Sequence, residues 1–433
     1  MGMQMKAHEK CIEIVSIWSR IKIYFFSILF GAVVIFDRLS RWALRPKTFF
    51  ALQQRDKPPH FLVDNSLGQH SYVKLNGVKL HYVESGPKNK PLILMLHGFP
   101  DCWISWRHQI APLSSHFRVV ALDLKGYGDS DKPMQRRGYR VPVLLKELRD
   151  FITALGASSC VIIGHDIGAL LGWLLAYSYP GLVKKFVAIS CPHPNIYWEV
   201  LPHGVQFGKR WVYFSQLPGL PEIDVLREDL TDITQCYAHE KSNGDGKMNA
   251  LEAYKYSFSR REDWSGPINY FRNLLYVRVR LTPLPGKVEE SWDDESWKGG
   301  QVLLITGGED KRASLESIVR STEFLPPEAR AMVRVVAGAK HFPHQEFPDQ
   351  VNNYLLDFLH VQCSPEKEKV QCSNGEGLHK RLVNRVLESS WVSSTVRYGN
   401  QVLDAAKKGT VGIGHDDSSL SRISNGYIHT GKA

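Results

Sequence analysis

Two patterns of hydrophobic and polar residues alternate between residues 71 and 362. Residues 72–86 alternate apolar and polar side chains on both sides of Asn76-Gly77, which is typical of two antiparallel strands joined by a two-residue turn. Apolar side chains recur at helical spacing over 140–156 and 168–180. Short, continuously apolar runs predict buried strands over 91–98, 117–124, 159–164, 183–191 and 301–307. Strands that alternate with helices predict an α/β fold with a mostly parallel, doubly wound sheet.

The alternation of strands and helices stops between residues 194 and 297. That stretch is rich in aromatic residues and helical patterning, and buried-strand composition resumes at Gln301. An inserted helical cap explains the interruption. The predicted domains are an N-terminal tail and membrane anchor (1–48), a linker (49–70), the first part of the core (71–193), the cap (194–297), the second part of the core (298–362) and a low-complexity C-terminal tail (363–433).

An uncharged apolar run from Ile23 to Phe36 lies between basic residues near the N-terminus. It is shorter than the roughly 20 residues of an ideal membrane-spanning helix, but snorkelling of Arg20 and Lys22 would lengthen it. We therefore expect a single-pass membrane anchor. A cleaved signal peptide and a buried helix are the alternatives.

Charge and cysteine usage narrow the classes of function. The net charge of +10 resides mainly at the ends, with +6 in residues 1–60, +3 in 363–433 and +1 in the rest. This distribution argues against nucleic-acid binding by the central body and favours attraction of the ends to an anionic membrane. The seven cysteines form no CxxC pair, and no Asn-x-Ser/Thr acceptor occurs. Both features favour a catalytic body on the cytosolic side, and neither a zinc site nor a disulfide framework is indicated.

The candidate chemistry lies where predicted strands end. Gly164-His165-Asp166-Ile167-Gly168 has the outline of a nucleophile elbow, with aspartate in place of the usual serine. Asp310 follows the strand at 301–307, and His341 follows a strand-like run. This chain order of nucleophile, acid and base is that of the α/β-hydrolase triad. Neighbours compete for two of these roles: Glu309 with Asp310 and His344 with His341, while His165 adjoins the nucleophile.

An oxyanion hole is predicted at two backbone amides. "LHGFP" (96–100) follows its own predicted strand, at the position where this kind of fold takes one amide donor. The amides after the two turns, those of Phe99 and Ile167, are therefore the expected donors.

Several motifs together resemble one family. They are "HGFPDCWISWRHQI", "RVVALDLKGYGDSDKP", "GHDIGA", "QLPGLPE", "SGPINYFRN" and "GGED…AKHFPHQEFPDQVNNYLLDFL". Over about residues 70–362 the chain resembles membrane-anchored epoxide hydrolases of the α/β-hydrolase fold. The resemblance implies that Asp166 opens an epoxide to form an ester, which water activated by His341 and Asp310 then hydrolyses to a vicinal diol.

The resemblance also implies what the protein binds and where it resides. The substrate would be a hydrophobic epoxide, lipid-derived ones included, and the second substrate is water. No cofactor or metal is required. The expected location is a membrane, that of the endoplasmic reticulum. Residues 243–252 imitate a calcium-binding loop from its third position onward, but Lys241 stands at the first ligand position, so we interpret the stretch as an ordinary loop.

The cap departs from the family pattern. The family polarises the epoxide oxygen with two cap tyrosines, and alignment of the motifs places Trp211 and Phe271 at these positions. Tyr213 and Tyr270 are close in sequence, so Trp211, Tyr213 and Tyr270 are the candidates for contacting the substrate oxygen. Two alternatives remain open: another hydrolase with an aspartate nucleophile, such as a dehalogenase, and a weakly active or inactive ligand-binding homologue.

Overall fold

An eight-stranded sheet forms the centre of the protein. The computed structural model describes residues 12–241, 250–280, 300–325 and 329–359. The strands of the described residues are β1 (Ile12–Ile14), β2 (Gln69–Leu75), β3 (Val78–Ser85), β4 (Leu92–Leu96), β5 (Arg118–Leu122), β6 (Cys160–His165), β7 (Val183–Ile189), β8 (Val277–Val279), β9 (Gln301–Gly307) and β10 (Arg330–Val336). Strands β1 and β8 pair with each other, and the other eight form the central sheet. All five residues of β4 and all six of β6 are buried, because helices cover both faces of a parallel sheet.

The order of strands confirms the predicted fold class. It runs β10-β9-β7-β6-β4-β5-β3-β2, with parallel pairing from β10 to β5. In this sheet β3 runs in the opposite direction to the other seven strands and therefore pairs antiparallel with both β2 and β5. The hairpin between β2 and β3 turns at Asn76 and Gly77, whose φ angles of 50° and 84° suit a type I′ turn. The chain therefore has the mostly parallel sheet of an α/β hydrolase.

Fourteen α-helices are present in the described residues. They are α1 (Ile17–Leu44), α2 (Pro46–Phe49), α3 (Arg107–Ser114), α4 (Val141–Ala154), α5 (Asp166–Ser178), α6 (Pro194–Val200), α7 (Lys209–Phe214), α8 (Leu220–Asp224), α9 (Arg227–Cys236), α10 (Ala250–Ser257), α11 (Glu262–Leu274), α12 (Leu315–Arg320), α13 (Pro343–Glu346) and α14 (Pro348–Phe358). Helices α4 and α5 occupy the two stretches that the periodicity predicted.

Six of these helices, α6 to α11, lie between β7 and β9 in the chain, within the stretch interpreted as a cap. The segment before the sheet packs on them: the Arg55 guanidinium donates to Asp229 at 2.7 Å, and the Asp229 amide donates to the Ala51 carbonyl at 2.7 Å. The first residues of the predicted linker, 49–70, therefore contact a cap helix. Most of the calcium-loop-like stretch and the C-terminal tail lie outside the described residues.

Helix α1 has 28 residues and is long and apolar enough to cross a membrane, although a signal sequence or a buried helix would share these properties. One side of it is buried, at Ile23, Ser27 and Gly31. Ahead of the helix, β1 pairs antiparallel with β8, which follows the last cap helix. This pairing joins the two segments by backbone hydrogen bonds.

Candidate active site

Asp166 stands at the tip of a sharp turn between β6 and α5. Its φ of +46° lies in the left-handed region, which costs a non-glycine residue of order 1–3 kcal/mol and is typical of functional turns. The side chain is fully buried. A buried carboxylate held in this way points out of the carboxyl end of the sheet, where active sites of open α/β folds form.

His341 and Asp310 meet beside Asp166. The Nδ1 atom of His341 donates to Asp310 Oδ2 at 2.9 Å, and its Nε2 atom lies 3.8 Å from Asp166 Oδ2. Asp310 Oδ1 accepts from the backbone amides of Arg312 and Ala313 at 2.8 and 3.0 Å. The imidazole is thereby oriented by a fixed carboxylate, with the other ring nitrogen facing the elbow. That nitrogen has no hydrogen-bond partner among the described residues.

Local charges govern ionisation in this group. Burial opposes ionisation of Asp166, but Arg312 and His341 outweigh it and hold the pKa of Asp166 well below its usual range. Burial likewise opposes ionisation of Asp310, and His341 with the two amides lowers its pKa to about 2. Burial and Arg312 lower the pKa of His341, whereas Asp310 and Asp166 raise it by a larger amount, so the result is a raised pKa. Both carboxylates are ionised at neutral pH.

Two further side chains contact Asp166 directly. The Tyr197 hydroxyl, on α6, donates to Asp166 Oδ1 at 2.5 Å, and the Arg312 Nη2 atom donates to Oδ2 at 3.0 Å. Arg312 is almost entirely buried, and its Nε–H has no partner among the described residues. Both oxygens of the Asp166 carboxylate therefore accept a hydrogen bond, and the Nε–H of Arg312 is left to donate to a further group.

The two turns expected to form the oxyanion hole lie against each other. A Cβ atom added at Gly98 would come within 2.5 Å of His165 Nδ1 and 2.9 Å of Asp166 Cβ, so only glycine permits the approach. Phe99 and Ile167 are both fully buried beside this contact. No hydrogen bond from either amide to the Asp166 carboxylate occurs in the described part of the chain, and the oxyanion role stays a prediction.

Trp211 and Phe271 face the turn that carries Phe99. The Phe99 ring lies 5.1 Å from that of Trp211 and 4.8 Å from that of Phe271, and the latter two are 4.9 Å apart. The indole nitrogen of Trp211 has no hydrogen-bond partner among the described residues. An aromatic wall thus stands at the cap positions that alignment assigned to the family's tyrosines.

Tyr213 and Tyr270 point elsewhere, which corrects their place among the candidates for the substrate oxygen. Tyr213 packs against Phe26 of α1 in a tilted arrangement and stacks on Phe30, with centroid distances of 5.4 and 5.7 Å. The Tyr270 hydroxyl donates to the Lys125 carbonyl at 3.0 Å. An offset of one or two residues turns a side chain to another face of a helix, and here it decides the contact.

Comparison with known proteins gives the family of the chain. The family described as the alpha/beta hydrolase fold matches residues 91–348. Human epoxide hydrolase 4 is 36% identical over 333 residues, covering 73% of this chain and 87% of that protein. Mouse epoxide hydrolase 3 is 34% identical over 336 residues, covering 74% and 87%. This chain belongs to the epoxide hydrolases of the α/β-hydrolase fold.

A solved member of the family has the same architecture. The crystal structure of Bacillus megaterium epoxide hydrolase in complex with an inhibitor has a TM-score of 0.52 and 31% sequence identity, and the match covers 67% of this chain and 100% of that one. Vigna radiata epoxide hydrolase VrEH1 gives a TM-score of 0.52 at 28% identity, covering 67% and 97%. The protein is accordingly an epoxide hydrolase-like enzyme of the α/β-hydrolase fold.

The competing residues of this family member have other partners. Glu309 is exposed, while Asp310 beside it is buried against His341. His165 Nε2 donates to the His341 carbonyl at 2.8 Å, so His165 positions the backbone of the catalytic loop. His344 Nε2 bonds to Ser105 Oγ at 2.9 Å. Neither histidine contacts Asp310.

Asp101, His165 and His344 form a buried cluster whose potential ligand atoms lie within 4.8 Å of one another. Ser105 Oγ and the Cys102 amide already donate to Asp101. Burial raises the pKa of Asp101 to about 7 and, with the neighbouring His341, lowers that of His165 to about 3. Because Asp101 already accepts two hydrogen bonds and His344 bonds to Ser105, these residues form a buried hydrogen-bonded network beside His341.

Tyr197 and Arg312 were not anticipated from the sequence. Tyr197 lies in the first cap helix, far along the chain from any residue that it contacts in the site. Arg312 offered one signal, since it follows Asp310 by two residues in the same loop. A cation that close to a triad acid is within reach of the nucleophile.

Proposed function

We propose that this protein hydrolyses hydrophobic epoxides, lipid-derived ones among them, to vicinal diols through an ester on Asp166. The observation that carries the proposal is the ionised Asp166 carboxylate at the elbow with the His341–Asp310 pair beside it. Family membership supports the reaction class, because relatives over most of this chain are named epoxide hydrolases. A carboxylate suits the saturated carbon of a strained ring, to which a serine elbow is not adapted.

Ring opening would begin with attack of an Asp166 oxygen on one ring carbon. As the new C–O bond forms, the ring C–O bond breaks, and the negative charge moves from the carboxylate to the former ring oxygen. Tyr197 and Arg312 are the donors positioned to follow that charge, since each already touches the carboxylate that loses it. Tyr197 would protonate the alkoxide, and the Arg312 guanidinium would stabilise both the alkoxide and the tyrosinate that results.

Hydrolysis of the ester would use His341. Its free Nε2 would take a proton from water while the resulting hydroxide adds to the Asp166 carboxyl carbon, with the Phe99 and Ile167 amides as the proposed oxyanion donors. Collapse of this adduct releases the diol and restores the carboxylate. The proton on His341 then returns to Tyr197, so that epoxide and water give diol with no net change in the enzyme.

The surroundings support a largely apolar substrate with a polar approach for water. Phe99, Trp211 and Phe271 form an aromatic wall in front of the elbow. A cavity of about 980 Å³ reaches Asp310, Arg312 and His341 from a side that includes several polar residues. Water could reach the base through this cavity while the wall contacts the hydrophobic part of the epoxide.

Oxygen-18 labelling tests the proposal. With enzyme in excess over trans-stilbene oxide or an epoxidised fatty acid in H₂¹⁸O, the first diol should be unlabelled, because its new oxygen comes from Asp166. The label should instead enter the Asp166 carboxylate. Diol labelled in the first turnover would show direct attack by water and overturn the ester mechanism.

Intact-protein mass spectrometry supplies the second measurement. His341→Gln should accumulate an adduct with the mass of the epoxide, located on Asp166, while Asp166→Asn should show none. Absence of both turnover and adduct across aryl and fatty-acid epoxides would favour the ligand-binding homologue. Turnover of haloalkanes instead of epoxides would favour a dehalogenase.

A further inference from the structure

Helix α1 lies along the cap for nearly its whole length. At its start, β1 pairs with β8, and Val15 donates from its amide to the Tyr276 carbonyl at 3.0 Å. In its middle, Gly31 packs so closely on Leu217 that an added Cβ would overlap that side chain. Near its end, Arg38 Nε donates to Asp224 Oδ1 at 2.7 Å.

This attachment is incompatible with a helix that crosses a bilayer. From its first residue to Arg38 the helix rises roughly 30 Å, which is about the thickness of the hydrocarbon layer. A spanning orientation would carry the attached cap surface, including the Arg38–Asp224 ion pair, into the hydrocarbon, where charged groups are costly. The helix can meet a membrane only by lying in its surface.

The face of α1 turned away from the cap is a continuous apolar stripe. Its side chains recur at intervals of three and four residues and are about half to three-quarters exposed; they are Trp18, Ile21, Phe25, Ile28, Leu29, Val33, Phe36 and Leu39. A stripe of this length is far larger than the scattered apolar residues of an ordinary protein surface. It has the form of a helix that lies in the membrane interface.

A basic groove adjoins the first half of this stripe. The groove is a cavity of about 1050 Å³ between α1 and α4, with an apolar floor that includes Ile17, Ile21 and Leu145. Seven cations line it, and three of these already pair with carboxylates: Lys146 and Arg149 with Asp150, and Arg272 with Glu222. The cations without a carboxylate partner among the described residues are Arg20, Arg136, Arg137 and Arg140. An apolar floor with a cationic rim complements the head group and upper chains of an anionic lipid.

We propose that the apolar stripe and the basic groove together form a docking surface for an anionic lipid bilayer. The helix lies in the interface, and the groove holds an anionic head group. Helix α7 contributes Tyr213, which packs on α1, and Trp211, which packs on Phe99. One short helix therefore lies between the docking surface and the aromatic wall formed by Phe99, Trp211 and Phe271. The proposal does not depend on the reaction at Asp166.

Vesicle flotation of the full-length protein tests the charge requirement. Binding should be stronger to phosphatidylcholine vesicles that contain phosphatidylserine than to phosphatidylcholine alone. Arg136→Gln combined with Arg140→Gln should weaken binding to the anionic vesicles by about 10- to 30-fold, since a surface cation contributes about 1 kcal/mol. Lys88→Gln with Lys90→Gln removes the same charge from exposed positions outside the groove and should change binding little. Equal effects of the two pairs would overturn the groove.

Orientation is tested by labelling in sealed vesicles. Lys22→Cys, near the start of α1, and Lys47→Cys, beyond its end, place thiols at exposed positions, and each variant is compared with the parent protein. A membrane-impermeant maleimide added outside should label both positions if the helix lies in the interface. Labelling of only one position would show a spanning helix and overturn the proposal. Loss of vesicle binding in Phe25→Asp with Ile28→Asp would confirm that the stripe inserts, and unchanged binding would overturn it.

Discussion

Replacement of Tyr197 by phenylalanine removes one hydrogen-bond donor to Asp166 and leaves the ring in place. That hydroxyl donates to Asp166 Oδ1 at 2.5 Å in a fully buried setting. Trp211 and Phe271, which alignment assigns to the cap positions of the family's tyrosines, carry no phenol, whereas the Tyr197 hydroxyl is hydrogen-bonded to Asp166. We expect Tyr197→Phe to slow formation of the ester on Asp166.

Two opposed effects set the size of the change. A hydrogen bond to a charged group contributes about 1.5–3 kcal/mol, so its removal alone would make Asp166 roughly 10- to 150-fold more reactive. Loss of a positioned proton donor slows a reaction by about 10²- to 10⁴-fold. At the middle of each range, about 40-fold against about 10³-fold, the two effects leave a net decrease of roughly 25-fold in the rate of ester formation.

The assay isolates the first chemical step. In a His341→Gln background the ester should persist, so its formation can be followed by rapid quenching and intact-protein mass spectrometry. Tyr270→Phe is the matched control, because its hydroxyl donates to the Lys125 carbonyl at 3.0 Å and lies away from Asp166. The control should leave the rate unchanged and lower the free energy of unfolding by about 1 kcal/mol. Ester formation as fast in Tyr197→Phe as in its parent would refute the assignment of Tyr197 as the proton donor.

Three other outcomes follow from the same geometry. Phe271→Tyr should raise epoxide turnover, and rescue of Tyr197→Phe by this change in a steady-state assay would confirm that the two phenols act on one oxygen. Arg312→Met should lower the free energy of unfolding at neutral pH by about 3–5 kcal/mol, because it leaves Asp166 buried without its cation; urea denaturation with unchanged stability would contradict the pairing. His341 must be neutral to activate water, so ester hydrolysis should be slow at low pH and rise as pH passes through the pKa of His341. In the free enzyme that pKa is raised, and it should fall in the ester, where Asp166 no longer carries charge while Arg312 still does. The midpoint pH for decay of the ester in single-turnover experiments should therefore be lower than the midpoint of an NMR titration of His341 in the free enzyme. A higher midpoint for the ester would be evidence against this coupling.

The convergence of Asp166, Asp310 and His341 was predictable from the sequence because each of these residues follows the end of a strand. Short, continuously apolar runs bounded by turn residues are typical of strands that are buried on both faces, as β4 and β6 are. The carboxyl ends of parallel strands lie along one edge, so Asp166 after β6, Asp310 after β9 and His341 after β10 converge there. Local pattern and chain order sufficed for that part of the site.

Tertiary packing alone decided the partners of the nucleophile and the position of α1. Tyr197 reaches Asp166 from a cap helix, and Arg312 reaches it from a loop. The periodicity of a sequence predicts which side of a helix is apolar, but it does not predict how that helix is rotated against another element. The same rotation turned Tyr213 to α1 and Tyr270 to a backbone carbonyl. Helix α1 is apolar on nearly all sides, so its sequence is equally compatible with spanning a bilayer and with lying half-buried on the cap. Only the contacts from β1 to Arg38 distinguish the two, because they require specific partners more than 180 residues away in the chain.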